Sequence, residues 1–269
     1  NEHLWGIVSN GNQLRILRNN ISLTRQAYVE FDLEKMFHGE VYADFVLLWL
    51  LCHQSRVEAE RPEECWLEKW SRESHATGTR ALDHLRDGVE KAISELGSGF
   101  LSHPANAALR EQLRTGSLSA LDYYNQLLRL VYRLLVLFVA EDRDILFDPA
   151  ALNAAREIYK EYYSTTKLRA QADRQLGTRH ADLYYSLKLV MEKLGLDGGC
   201  PELGLPGLNG FLFSPAALTD LKDCQLANYA LLAAVRHLAY TESGRTRRII
   251  DYKNLGSEEL GSVYESCLL

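Results

Sequence analysis

The stretch LLRLVYRLLVLFVAED, Leu127 to Asp142, constrains the fold of this chain more than any other. It is almost wholly apolar, interrupted by Arg129 and Arg133 and closed by two acids. Crossing ~30 Å of hydrocarbon takes about 20 uncharged residues, and this run is too short and too charged for that. It is therefore a core helix, and its neighbours must bring apolar stripes of their own to cover it. Ser119 with Asp122 reads as a capping box that starts the helix near Tyr123.

The remainder of the chain supplies such stripes after a different beginning. LWGIVSNGNQLRILRNN holds two short apolar segments around Asn10-Gly11, the strongest short-range hairpin signal. AYVEFDL, Ala27 to Leu33, alternates polar and apolar residues as a third strand would. Asp32 is a candidate N-cap for LEKMF, and VYADFVLLWLLCHQSRV should form a strongly buried helix. Pro62 opens a long helical run that Gly97 to Pro104 should break. Pro149 opens a helix reaching about Tyr163, Asp182 to Leu194 is amphipathic, and Pro215 starts another. Glu258 to Leu269 reads as a helix leading onward into something further. The expected fold class is mainly α, a helical bundle-like connector with a small N-terminal β-hairpin or three-stranded β edge. The expected divisions are 1–32 for the β edge, 33–256 for the helical body and 257–269 for the start of a following domain.

Chemistry-bearing motifs are few. GLDGGCPELGLPGLNG is glycine-rich but lacks the spacing of a phosphate loop, and Pro201 and Pro206 remove amides such a loop needs. Glu141, Asp142 and Asp144 cluster as Mg²⁺ ligands can, although Arg143 sits among them. Cys52 and His53 are neighbours on a helix and face different directions. The cysteines at 52, 65, 200, 224 and 267 form no CxxC pair, so neither a zinc ribbon nor a disulfide framework is indicated. Free thiols fit a reducing, cytoplasmic setting.

A formal charge of −6 argues against a uniformly basic nucleic-acid module, yet two stretches are locally positive. Between 151 and 193, eight basic residues face five acids. They include Lys167, Arg169, Arg174 and Arg179, interleaved with Tyr159, Tyr162, Tyr163, Tyr184 and Tyr185. Between 243 and 253, Arg245, Arg247, Arg248 and Lys253 face only Asp251. Basic side chains interleaved with aromatics can track a phosphate backbone. These eight cations are the candidate DNA-binding residues.

Four segments in order carry a resemblance: WGIVSNGNQLRILRNN with AYVEFDLEKMF, LLRLVYRLLVLFVAEDRDILF, LGLPGLNGFLF, and RIIDYKNLGSEELGSVYESCLL. Together they are similar to the region ahead of the methyltransferase domain in type II restriction enzyme, methylase subunit proteins. These are the single-chain type IIG and IIL restriction-modification enzymes, with the related BREX and DISARM phage-defence methyltransferases. The last segment, with Leu260-Gly261-Ser262-Val263-Tyr264-Glu265, is the most specific. Phe211 stands where that family often has Gly.

The resemblance implies a helical spacer with no catalytic, cofactor-binding or metal residue of its own. Its parent would be an S-adenosylmethionine-dependent, adenine-specific DNA methyltransferase, with Mg²⁺ where an endonuclease accompanies it. The family's Gly-x-Gly and Asn-Pro-Pro-Tyr motifs would lie beyond Leu269. Glu30, Asp32 and Lys35 would follow the nuclease and take no part in catalysis. The implied partner is double-stranded DNA, with no membrane involvement. The competing expectation is a stand-alone helical scaffold for protein interactions.

Overall fold

The computed structural model describes residues 4–19, 28–208, 210–243, 246–253 and 255–268. The fold is mainly helical with a three-stranded antiparallel sheet at its start, and the chain divides into two compact units, Asn1–Arg80 and Ala81–Leu269. The expected change from strand to helix does occur at residue 32. It is not the limit of a unit, because the helices that follow pack on the sheet.

In the first unit, β1 (Trp5–Ser9), β2 (Gln13–Arg18) and β3 (Tyr28–Asp32) pair antiparallel in that order. Ile7, Ile16 and Val29 lie opposite one another on one face. The hairpin turn sits one residue later than Asn10-Gly11 suggests. Gly11 takes the left-handed conformation, φ +95°. The Asn10 carboxamide oxygen instead accepts from the amides of Asn12 and Gln13, at 3.0 and 2.7 Å. Asp32 caps α1 (Leu33–His38) by accepting from the Lys35 amide at 2.9 Å. Ile16, Phe31, Cys65 and Leu67 make a small core, with Leu48, Leu51 and Cys52 of α2 (Tyr42–Cys52) against it.

One expectation fails here: α2 has no buried residue. Tyr42 is 75% exposed and Trp49 57%. A helix apolar on every side needs cover on every side, and this unit offers it a single layer. Beyond the short α3 (Gln54–Val57) and a turn at Pro62–Glu64, α4 (Trp66–Ser102) begins. Its Glu68 is buried and accepts a two-bond fork from Arg18, each bond 2.8 Å.

The second unit is built around α6 (Ala120–Asp142), whose Leu128, Val131, Leu134, Leu135, Leu137 and Phe138 are fully inaccessible. The capping box is present: Ser119 Oγ accepts from the Asp122 amide and donates to its carboxylate. The interrupting arginines work inward. Arg133 donates to the carbonyls of Leu212 and Ser214 at 2.7 and 2.9 Å, and Arg129 to that of Ala217 at 3.2 Å. They thereby fasten the glycine-rich segment after residue 194 to the core helix. Burial drops the Arg133 pKa to about 10. That segment keeps its own amides occupied, those of Cys200, Leu205 and Leu208 donating to Leu205, Cys200 and Leu194.

Gly97 to Pro104 does not break α4, which runs on to Ser102. The glycines serve close packing: a Cβ on Gly99 would lie 2.5 Å from that of Ala230. The facing helix is α10 (Asn228–Ala239), which starts well after Pro215 because only a short turn follows that proline. α5 (Ala107–Thr115) and α9 (Asp182–Leu194) flank the core. The helix expected from Pro149 begins at Asn153 as α7 (Asn153–Ile158) and passes into a π-helical turn to Tyr163. α8 (Thr165–Arg174) follows it. β4 (Tyr240–Ser243) and β5 (Thr246–Ile249) form a ribbon directly after α10. α11 (Ser257–Leu268) packs on α6, Tyr264 edge-on to Tyr132 at 4.4 Å, with Val263 and Cys267 in the core.

Candidate nucleic-acid interface

The two basic stretches meet at α8. Each end of this helix is fixed by charged groups, and the acids suspected of holding Mg²⁺ do the first part of that work. Glu141 accepts from the amides of Thr165 and Thr166 and the Tyr159 hydroxyl, all at 2.7 Å, and from Thr166 Oγ1 at 2.8 Å. A carboxylate at a helix N-terminus satisfies free amides and opposes the helix dipole favourably. Asp142 takes a fork from Arg169 at 2.5 and 3.1 Å. Arg143 donates to the carbonyls of Lys253 and Leu255 at 2.9 and 2.7 Å, fixing the segment that enters α11. Among the described residues no group of three or more His, Cys, Asp or Glu could hold a metal.

At the other end Arg236 donates to the carbonyls of Ala172 and Gln175, both at 2.7 Å, and so caps α8. Arg247 of β5 pairs with Asp173 at 3.1 Å, and the Tyr240 hydroxyl donates to the Arg169 carbonyl at 3.3 Å. Residues more than 70 positions apart are thus locked together, a juxtaposition that no local pattern of residues announces.

The candidate cations fare differently. Arg169 leaves the set: it shares the buried stripe of α8 with Thr165, Leu168 and Ala172, and only 7% of it is exposed. Its guanidinium is held by Asp142 and lies 4.8 Å over the Phe138 ring. Arg245 lies outside the described residues. Lys167 is exposed, donates to the Glu161 carbonyl at 2.8 Å and stacks over Tyr162. Arg174, Arg179, Arg248 and Lys253 are exposed, and their side chains have no ion-pair or hydrogen-bond partner among the described residues. Arg174 ends α8, Arg248 lies on the adjoining ribbon, and Arg179 lies beyond α8 in the loop to α9. Lys253 lies where Arg143 holds the chain.

Of the interleaved tyrosines, Tyr159 and Tyr184 are core residues, and burial pushes both phenols far above their ordinary pKa. Tyr162 and Tyr185 remain exposed and able to stack. The joint made by Glu141, Asp142 and Arg143 was not foreseen from the sequence. Its signal was present: four consecutive charges, Glu141 to Asp144, close the core helix, and the half-buried Glu141 and Asp142 need partners there.

Comparison of the chain with protein-family models, curated proteins and solved structures finds no match.

Proposed function

We propose that this chain is the helical spacer of an adenine-specific, restriction-modification or phage-defence DNA methyltransferase, without catalysis of its own. It would hold neighbouring domains at fixed spacing on duplex DNA and contribute phosphate contacts. The observation that supports it best is the joining of two distant basic stretches through Arg247 and Asp173, with Arg174, Arg179 and Arg248 exposed and unpartnered among the described residues. Cations of this kind give affinity and register without sequence information. The packed core of the second unit suits a spacer, since a rigid body fixes distances that a flexible linker cannot. S-adenosylmethionine would belong to the parent protein's methyltransferase domain.

The test is duplex DNA binding across a salt series. Every phosphate that a cation neutralises adds about 0.9 to the steepness of log K against log salt. The Arg174→Ala/Arg179→Ala/Arg248→Ala chain should therefore show a slope shallower by about 2 to 3. An unchanged slope contradicts the proposed phosphate contacts.

The exposed side chains of α2 favour a second reading, a scaffold that docks other proteins. No helix among the described residues is long and apolar enough to cross a membrane.

A further inference from the structure

Among the described residues, nothing blunts one edge of the first unit's sheet. Exposed edge strands are ordinarily protected by charge, proline or a bulge, because their free amides and carbonyls invite another strand. β3 carries Glu30 and Asp32. β1, WGIVS, carries no charge and no proline.

The register shows which groups are free. The Asn19 amide donates to the Leu4 carbonyl at 2.7 Å and the Asn10 amide to the Gln13 carbonyl at 3.2 Å. Antiparallel bonding alternates, so Gly6 and Val8 also bond to β2, while Trp5, Ile7 and Ser9 turn their backbone groups outward. On the core-facing side the apolar row is uncovered at this end: Ile16 is 1% exposed, but Ile7 beside it is 52% exposed.

We propose that β1 pairs with β1 of a second copy of this chain across a two-fold axis, making a continuous six-stranded sheet. The pattern is self-complementary. With Ile7 opposite Ile7 of the partner, both exchange amide and carbonyl, and each Trp5 meets the other copy's Ser9. The row Val29, Ile16, Ile7 then continues into the same row of the partner, and the Ile7 side chains cover each other. A second copy fits this edge because the strand is uncharged, so its self-pairing opposes no like charges. An interface of one short strand is small, so the dimer is weak and concentration-dependent.

Sedimentation equilibrium of residues 1–269 over roughly 1–200 µM, where interfaces this small dissociate, tests it. The apparent mass should climb from 30.6 kDa toward twice that value. Ile7→Pro removes the amide aimed at the partner and no bond to β2, since proline is accepted on an edge strand in that orientation. It should weaken association at least tenfold with an unchanged far-ultraviolet spectrum. Ile7→Lys keeps every backbone donor, places two cations face to face and should do the same, which covers the case of a Pro variant that misfolds. A wild-type chain that stays monomeric throughout overturns the proposal and leaves the edge to a strand of another polypeptide. Association that survives Ile7→Lys overturns it equally.

Discussion

Glu141 accepts four hydrogen bonds, and they close the start of α8 and the Tyr159 hydroxyl together. Glu141→Ala strands the first amides of α8 and the Tyr159 hydroxyl beside the core. That should cost about 2–4 kcal/mol. For a chain of this size, thermal unfolding of the second unit should fall by roughly 5–15 °C. A drop under one degree would reduce the joint to a surface turn.

The Arg18–Glu68 fork gives the first unit a pH dependence. The hydrogen bond from Arg18 holds the Glu68 carboxyl below its ordinary pKa. A carboxyl so lowered stabilises the fold fully above its unfolded value, about 4.3 for Glu, and loses that contribution as the pH falls toward the folded value. Melting of the first unit should therefore decline as pH drops below that value, and the decline should be flatter in Glu68→Gln. Arg18→Ala leaves the buried carboxylate with only the exposed Arg72, 3.4 Å away, and should cost about 3 kcal/mol at neutral pH.

At the scale of elements, the sequence was legible where local physics decides. α6, its capping box, α9 and α11 follow from apolar spacing and from Ser119 and Asp182 near their starts. It was illegible where a neighbour decides. Gly97 and Gly99 looked like helix breakers, but they are contact points of α4 with α6 and α10. α2 looked buried because composition cannot report whether a covering layer exists. Gly99→Ala separates these influences. Helix propensity alone favours Ala by about 1 kcal/mol. The clash with Ala230 should win and destabilise the second unit by about 1–3 kcal/mol in urea unfolding. A stabilised variant would show that the two helices can part without cost.

For the whole molecule, the candidate site was legible as a count of cations and illegible as a place. Spacing named Arg169 with Arg174, yet five positions on a helix turned one inward and left the other exposed. The joining of residues 167–179 to 247–253 depends on β5 reaching α8, which no local pattern encodes. The result is a helical unit in which the segment entering α11 is pinned to α6 by Arg143, and α11 itself by Tyr132 and Tyr124 through the Leu260 and Cys267 carbonyls. Such anchoring is what a spacer needs if it is to pass a fixed orientation to a following domain.

The most direct measurement is to read the coding frame downstream of Leu269. The proposed role predicts a Gly-x-Gly after a strand and an Asn-Pro-Pro-Tyr within roughly 250 codons, the pair that binds the methyl donor and grips a flipped adenine. A stop codon directly after Leu269 would contradict it and leave a free-standing helical protein.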